Sequence, residues 1–311
     1  MQLKPALDAA IAQLTAAGTG SPRLNAEVLL MFTLGCDRAY LYAHAERELS
    51  AEESARYQSA LEERARGKPA QYITGHQEFW GLDFLVSPAV LIPRPETEHV
   101  VETVLELARL GGLARAPAFP AGPPRERPLK IVDVGTGSGC IALALAKELP
   151  GADIVGLDIS AAALEIARAN AARLQLDQRV RFLESNLLEG LPPAAGSQQL
   201  PARSEVKAAG FDFVVSNPPY VGSSAPEKVQ REVRDYEPKV AVFAGESGLE
   251  VYRQLIPQAR ERLAPGGWLV MEIGFSMEAA VRALLEGWQE VRVTHDLQGI
   301  PRVVAAQFTA D

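Results

Sequence analysis

The feature that most constrains the fold is an alternation of short β-branched runs with helical segments in the second half of the chain. Residues 130–134, 153–157, 180–183 and 211–215 have the composition of strands, and helical patterns separate the first three of them. Strands that alternate with helices favour a mostly parallel sheet with helices on both faces. The sequence therefore predicts an α/β fold with a doubly wound sheet.

The C-terminal part of the chain predicts further strands at residues 268–273, 290–294 and 302–308. A parallel pair needs a crossover of a dozen or more residues, and the link between the last two strands is much shorter. We therefore expect these two strands to pair as an antiparallel hairpin.

The first third of the chain has helical periodicity instead. Apolar residues at helical spacing run through residues 3–14 and 24–32, and Ser50 with Glu53 forms the pattern of a capping box at the start of a third helix. We expect residues 1–70 to form a small helical domain, which is too short to build a large core alone.

Between the helical region and the α/β region the composition changes. Residues 71–75 and 78–86 are short, aromatic and β-branched, with turn residues between them, which predicts a β-hairpin in a linker spanning residues 71–95. The α/β domain would then occupy residues 96–311. Two segments within it, residues 113–128 and 192–210, are rich in Pro and Ala and are predicted to be loops.

Composition excludes several classes of function. The chain has 31 Lys plus Arg against 39 Asp plus Glu, a formal net charge of -8, which argues against nucleic-acid binding through bulk electrostatics. Its two cysteines cannot form a disulfide framework, and no Cys/His cluster has zinc spacing, so no metal is expected. The sequence contains no signal-peptide core and no membrane-spanning run. We expect a cytoplasmic protein without a membrane partner.

The first candidate site is a glycine-rich loop directly after the first predicted strand of the sheet. It reads Gly135, Thr136, Gly137, Ser138 and Gly139. Glycines allow a tight turn and a close approach of the backbone to a ligand, and ligands bind at the carboxyl ends of the strands in open α/β sheets. The spacing differs from the dinucleotide motif G-x-G-x-x-G. Alone, the loop is also compatible with an ordinary tight turn.

The second candidate is Asp158, at the end of the second predicted strand of the sheet. A carboxylate at this place can accept hydrogen bonds from both hydroxyls of a ribose. The alternative is a favourable charge at the N-terminus of the helix that follows Ser160. Together with the glycine loop, Asp158 indicates a nucleoside cofactor, either NAD or S-adenosylmethionine.

The third candidate is the tetrapeptide Asn217, Pro218, Pro219 and Tyr220 after the fourth predicted strand of the sheet. The prolines lack N–H groups, so their carbonyls remain as acceptors, and Asn217 adds a side-chain acceptor and donor. Tyr220 can offer a flat face to a planar group. Two acceptors can hold both hydrogens of a planar –NH2 group and leave the nitrogen lone pair aimed at an electrophile. The alternative is a proline-rich strand exit.

These three motifs together resemble the class I S-adenosylmethionine-dependent methyltransferases that act on an amino or amide nitrogen. The resemblance implies a seven-stranded, mostly parallel, Rossmann-like sheet whose last strand is antiparallel. The Asn-Pro-Pro-Tyr motif is also shared with adenine-N6 and cytosine-N4 methyltransferases of RNA or DNA, which form the rival interpretation. That rival explains neither the helical domain nor the hairpin, and it requires a basic surface.

The rest of the chain resembles the release-factor glutamine methyltransferases, through residues 75–81, 92–98, 234–238 and 272–274. The resemblance covers nearly the whole chain except the two predicted loops. It implies methyl transfer from S-adenosyl-L-methionine, giving S-adenosyl-L-homocysteine, to the glutamine amide nitrogen in the Gly-Gly-Gln motif of peptide chain release factors. Residues 1–70 would dock this protein substrate.

The resemblance also implies roles for individual residues. Gly135 to Gly139 should line the methionine part of the cofactor, and Asp158 should hold the ribose. Asn186 and Leu187 should lie at the adenine, where many relatives have an acid. Asn217, which should also contact the cofactor, and Pro218 to Tyr220 should bind the target amide, with Asn217, Pro218 and Tyr220 as catalytic residues. Arg94 is a candidate for the cofactor carboxylate.

No strong base is evident in the Asn-Pro-Pro-Tyr motif, so catalysis is expected to rest on positioning and on acceptors for the charge that develops on nitrogen. A third interpretation is a catalytically silent scaffold that only binds the cofactor. The intact motif argues against it.

Overall fold

The structure is a computed structural model in which residues 1–110, 127–191, 210–223 and 229–309 are described. The loops predicted at residues 113–128 and 192–210 lie outside the described residues, except for residues 127, 128 and 210. The chain forms two compact units. Unit 1 comprises Met1–His76, Val86–Pro88 and Val229–Glu237, and unit 2 comprises Gln77–Leu85, Ala89–Lys228 and Pro238–Asp311.

The described residues form helices and strands with the following bounds. The helices are α1 (Leu3–Ala16), α2 (Pro22–Leu34), α3 (Arg38–Ala43), α4 (Ala51–Ala65), α5 (Ala70–Thr74), α6 (Glu98–Leu110), α7 (Cys140–Glu148), α8 (Ala161–Arg173), α9 (Arg231–Tyr236), α10 (Lys239–Val242), α11 (Glu250–Arg262) and α12 (Glu278–Leu284). The strands are β1 (His76–Phe79), β2 (Leu82–Leu85), β3 (Lys130–Val134), β4 (Asp153–Asp158), β5 (Val180–Glu184), β6 (Phe211–Ser216), β7 (Leu263–Glu272), β8 (Gln289–His295) and β9 (Pro301–Gln307).

Unit 1 is built from α1 to α5 and α9. Its core contains side chains that α1, α2 and α4 turn inward, and the Tyr57 hydroxyl donates a hydrogen bond to the Ala26 carbonyl at 2.9 Å. The predicted capping box begins α4, since Glu53 N donates to Ser50 Oγ at 3.0 Å and Ser50 N donates to the Glu53 carboxylate at 2.8 Å. The helical character predicted for this part of the chain is confirmed.

The strand predicted at residues 71–75 is wrong, because this segment is helical. Pro69 precedes α5, and Gly75 ends it at a φ of 77°, where its N–H donates to the Gln71 carbonyl. The β-branched residues in this segment favoured a strand, but the run is too short for its pattern to distinguish a strand from a helix. In the helix, Ala70 and Tyr72 are the buried residues.

The predicted hairpin exists, but it lies later in the chain. It is formed by β1 and β2, and its turn consists of Trp80 and Gly81, both with positive φ, 54° and 65°. This combination is typical of a tight hairpin turn. Residues 78–86, expected to form one strand, therefore contain the turn itself.

Unit 2 contains the seven-stranded sheet, with the strand order β5-β4-β3-β6-β7-β9-β8. Strands β3 to β7 are parallel, and β9 pairs antiparallel with both β7 and β8. The doubly wound, mostly parallel fold and the antiparallel C-terminal hairpin are confirmed. One apolar core packs α6, α7 and α8 against one face, and a second packs α11 and α12 against the other.

The register of the sheet brings the three sequence motifs to one edge. Val134, the last residue of β3, is level with Leu157 on β4 and with Ser216 on β6. The glycine loop, Asp158 and Asn217 therefore leave neighbouring strands at the same height.

Among the described helices, none combines the length and apolarity required to cross a bilayer.

Candidate active site

A cavity of about 400 Å³ opens in unit 2 where β3, β4, β5 and β6 end. Small-molecule sites usually measure 300–1,000 Å³, so the cavity can hold a ligand of cofactor size. Most of the predicted site residues line it, namely Gly135, Thr136, Gly137, Ser138, Asp158, Asn186, Leu187, Asn217 and Pro219. Gly139, Pro218 and Tyr220 are not among the described lining residues.

The glycine loop has a regular backbone pattern. Gly135, Gly137 and Gly139 have φ angles of 72°, 55° and 82°, so every second residue is left-handed. Side chains rarely adopt this conformation, which explains the G-x-G-x-G spacing. A Cβ added to Gly139 would lie 3.2 Å from Leu143 Cδ1 and 3.3 Å from Ala167 Cβ, so Gly139 serves helix packing.

Replacing Gly139 with alanine should lower the melting temperature more than the same change at Gly299. Both glycines are left-handed, but a Cβ added at Gly299 meets nothing within 4 Å. Left-handed alanine costs about 1–2 kcal/mol at either site, and each kcal/mol lowers Tm by about 2–4 °C in a chain of this size. At Gly139 the packing conflict adds to this loss. Calorimetric scans of both variants test the expectation, and equal shifts would contradict it.

Asp158 is placed to order the loop and to meet a ligand. Its Oδ2 accepts from Gly137 N at 2.8 Å, and its Oδ1 accepts from Ser160 N at 2.9 Å. Burial raises its pKa, and these N–H donors oppose the rise. Each carboxylate oxygen has a second lone pair, so Asp158 can also accept from ribose hydroxyls. A role in binding ribose is therefore compatible with a role as a favourable charge near the N-terminus of α8.

Asp133 on β3 supports the glycine loop, a role that was not predicted from the sequence. Its Oδ2 accepts a hydrogen bond of 2.6 Å from Thr136 Oγ1 in the glycine loop. It is fully buried on β3, and burial raises its pKa to about 7. The available signal was a carboxylate within an otherwise apolar strand, which usually means that the group has a specific partner.

Asn217 is held through its amide nitrogen. Asn217 Nδ2 donates to Thr97 Oγ1 at 3.0 Å, and Thr97 Oγ1 donates to Glu272 Oε2 at 2.6 Å. Thr97 and Glu272 are buried. Among the described residues, no hydrogen bond to Asn217 Oδ1 is present. The amide therefore retains an unused acceptor at the cavity.

Tyr220 is partly buried and does not line the described cavity. Its hydroxyl donates to Glu272 Oε1 at 3.3 Å, and its ring packs against Gly274, where an added Cβ would lie 2.8 Å from Tyr220 Cδ2. Burial raises the pKa of this phenol further above its usual value. The role of Tyr220 as a flat face for the substrate stays a prediction.

The charges at the cavity are few. Arg94 is the only lysine or arginine among the described lining residues, and Asp158 and Glu250 are the acids. Hydrogen bonds from the segment before α11 lower the pKa of Glu250 to about 2, and the bond from Ser247 N has the largest effect. Cys140 also lines the cavity, and burial raises the pKa of its thiol to about 12.

One wall of the cavity was not predicted from the sequence. It comes from α10, the start of α11 and the segment between them, and contributes Val240, Ala241, Phe243, Ala244, Gly245, Glu250, Val251 and Gln254. Another part of the cavity lining comes from the residues before α6, including Val90 and Thr97. Most of these residues are small or apolar, and the polar ones, Thr97, Glu250 and Gln254, belong to no recognisable motif, so the site could not be predicted from them.

Two family models match the chain. The model of the PrmC N-terminal domain matches residues 5–75, and the model of a methyltransferase domain matches residues 126–286.

Curated relatives match over almost the whole length. A protein from Koribacter versatilis, named release factor glutamine methyltransferase, is 53% identical and the alignment covers 99% of each chain. A protein of the same name from Geobacter sulfurreducens is 39% identical, with 98% of this chain and 96% of the relative covered.

Solved structures with a similar fold are far more distant in sequence. The hMettl16 catalytic domain, solved in complex with an RNA hairpin of the MAT2A 3'UTR, superposes with a TM-score of 0.52 at 17% identity, covering 83% of this chain and 82% of that one. The human methyltransferase 10 domain containing protein superposes with a TM-score of 0.50 at 18% identity, covering 82% of this chain and 98% of that one. At this identity the likeness shows the fold alone.

Proposed function

This chain belongs to the release factor glutamine methyltransferase family, and we propose that it transfers a methyl group from S-adenosyl-L-methionine to a release factor. The acceptor is the side-chain amide nitrogen of the glutamine in the Gly-Gly-Gln motif. Release factors act during translation, so the enzyme works in the cytoplasm with a protein partner, and neither a membrane nor a nucleic acid is part of the reaction.

The observation that carries the proposal is that one cavity contains both Asp158 and Asn217. Asp158 presents carboxylate oxygens suited to a ribose. Asn217 presents an amide oxygen without a partner among the described residues, suited to an –NH2 group. A nucleoside cofactor and a planar amide can therefore meet in this cavity.

The cavity residues fit S-adenosylmethionine. Gly135, Thr136, Gly137 and Ser138 line the cavity where the methionine part would lie, and Arg94 supplies the positive charge for its carboxylate. Asp158 would accept from the ribose hydroxyls, and Asn186 and Leu187 would contact the adenine, with the Asn186 side-chain carbonyl as acceptor. When bound, the cofactor supplies an electrophilic sulfonium methyl group.

The protein acts on the target nitrogen by positioning. An amide nitrogen is a poor nucleophile because its lone pair is delocalised. Asn217 Oδ1 and the Pro218 carbonyl would accept its two hydrogens, which fixes the plane of the amide and stabilises positive charge as it develops on nitrogen. The proton can leave after the methyl group has been received, so no dedicated base is required.

The proposal is tested by methylation with a labelled cofactor. Purified enzyme is incubated in parallel with a whole release factor, with the same factor carrying Ala in place of its Gly-Gly-Gln glutamine, and with bulk RNA. We expect label only in the unchanged release factor. Label in the RNA would favour the adenine or cytosine methyltransferase interpretation, and label in both protein substrates would place the modification elsewhere.

We further propose that residues 1–70 dock the protein substrate, that residues 71–95 link them to the catalytic part, and that residues 96–311 form the methyltransferase domain. The described residues of the cavity all belong to unit 2, so unit 1 contributes no group to the described chemistry. Two flexible glycines before the target glutamine would let its loop enter a narrow site.

Removing residues 1–70 should therefore impair methylation of a whole release factor more than methylation of a short Gly-Gly-Gln peptide. Calorimetric titration with S-adenosylmethionine is the control, since the shortened chain should retain cofactor binding. Helix α9 belongs to unit 1, where Glu232 pairs with Arg64, so solubility must be measured as well. Equal losses on both substrates, or an insoluble chain, would favour a role in covering apolar surface.

A further inference from the structure

A buried hydrogen-bond chain runs from the end of β7 to the Asn-Pro-Pro-Tyr motif. It consists of Glu272 Oε2, Thr97 Oγ1 and Asn217 Nδ2, with separations of 2.6 and 3.0 Å. Thr97 is 2% exposed and Glu272 is 3% exposed, so the bond between these two side chains is shielded from water. The three residues are far apart in sequence, since Thr97 precedes α6, Asn217 follows β6 and Glu272 ends β7.

The donors and acceptors of this chain allow one arrangement when Glu272 is ionised. A carboxylate only accepts, so the single hydroxyl hydrogen of Thr97 goes to Glu272. Thr97 Oγ1 can then only accept from Asn217, which requires Nδ2 on that side. The orientation of the Asn217 amide therefore follows from the network, and Oδ1 is left as the acceptor.

We propose that Thr97 and Glu272 are positioning residues, which hold the Asn217 amide so that its oxygen receives the target –NH2 group. The inference rests on the proposed function. A reversed amide would place the Nδ2 hydrogens against the hydrogens of the target nitrogen. Such a donor–donor contact would remove the acceptor that charge on the nitrogen requires.

Glu272 is held on several sides. Tyr220 donates to Oε1, and the Tyr252 hydroxyl donates to the backbone carbonyl of Glu272 at 2.8 Å, which fixes the end of β7. One carboxylate thus anchors Asn217, through Thr97, and Tyr220, the two ends of the motif. This arrangement gives Glu272 a role that does not require it to touch the substrate.

The network makes a prediction about pH. Burial raises the pKa of Glu272 to about 7. Among the described residues, the charged and titratable groups around it are Glu96, which raises the pKa further, Tyr220 and Arg302, which lower it, and Tyr252 and Cys140. A protonated Glu272 can donate to Thr97, whose hydrogen is then free for Asn217 Oδ1, and the amide can reverse. The saturated rate should therefore rise as pH increases through about 7.

Threonine variants test the chain directly. Thr97→Val removes the hydroxyl, and the saturated rate should fall about 10- to 100-fold because the acceptor loses its orientation, with cofactor affinity unchanged. Thr97→Ser keeps the hydroxyl and should retain most of the rate. Thr103→Val is the matched control, since Thr103 is buried on α6 and, among the described residues, its hydroxyl forms a hydrogen bond with Thr294 alone, at 3.0 Å. It should lower stability without lowering the rate.

A glutamine variant tests the carboxylate. Glu272→Gln can still accept from Thr97, so part of the rate should remain, but the rise with pH through about 7 should disappear. In a double-mutant cycle, adding Glu272→Gln to Thr97→Val should cause little further loss, because both changes act through Asn217.

The outcomes separate this inference from the proposed function. If the wild-type enzyme leaves the release factor unmethylated, the proposed function fails. If it methylates the factor and Thr97→Val keeps the wild-type rate, or loses no more than Thr103→Val, the positioning role fails alone. A pH profile of Glu272→Gln identical to that of the wild type would also overturn it.

Discussion

Alanine in place of Asn217 is expected to slow methyl transfer by about 100- to 1000-fold, the usual cost of removing one group that stabilises developing charge. Asn217 supplies the side-chain oxygen proposed to hold the target amide. It directly follows β6, and its Nδ2 donates a hydrogen bond to Thr97 Oγ1. Cofactor affinity should stay close to that of the wild type, since the contacts proposed for the nucleoside come from β4 and β5.

The measurement combines turnover on a release factor with calorimetric titration of the cofactor. Asn186→Ala is the matched control, since Asn186 lines the same cavity and is proposed to lie at the adenine. That variant should lose cofactor affinity and keep its saturated rate, the opposite pattern. Retention of most activity in Asn217→Ala would refute the role proposed for this residue.

Alanine in place of Asp158 should weaken cofactor binding by about 100-fold, because hydrogen bonds to a charged group are worth about 1.5–3 kcal/mol. The lost contacts are to ribose hydroxyls remote from the reacting atoms. The binding free energy should weaken equally in the ground state and in the transition state, so the rate at saturating cofactor should change little. The variant also leaves Gly137 N and Ser160 N without their carboxylate acceptor, which adds to the loss of affinity.

Asp158→Asn separates these two contributions. Asparagine keeps one side-chain oxygen, so it can still accept from a loop N–H, but it cannot accept at both positions. We expect its affinity to lie between those of the wild type and Asp158→Ala. A large fall in the saturated rate of Asp158→Ala with unchanged affinity would contradict the proposed ribose contact.

The sheet could be predicted because its strands are buried on both faces and flanked by clear breaks. The prediction of residues 130–134 matches β3, and the short link before β9 correctly implied an antiparallel pair. Strand β7 begins at Leu263, earlier than the predicted start at residue 268, and the added segment contains Pro265 and two glycines, which are typical of turns. In the structure the strand continues through them and pairs with Phe211 across an irregularity.

The site could be predicted only where its residues are close in sequence. The glycine loop and the Asn-Pro-Pro-Tyr motif are local patterns, and their chemistry is readable from the residue types. The Asn217, Thr97 and Glu272 chain joins residues separated by 120 and 175 positions, so no local pattern encodes it. Its one signal was Glu272 at the end of an apolar strand, where a buried carboxylate requires partners.

The central claim is that the methyl group ends on the side-chain nitrogen of one glutamine. Tandem mass spectrometry of the Gly-Gly-Gln peptide, taken from a release factor treated with the enzyme and cofactor, locates the added methyl group, and acid hydrolysis of that peptide releases it as methylamine if it is on the amide nitrogen. We predict one added methyl group on this glutamine and recovery of methylamine. A methyl group on another residue, or a methylated peptide that releases no methylamine, would contradict the account.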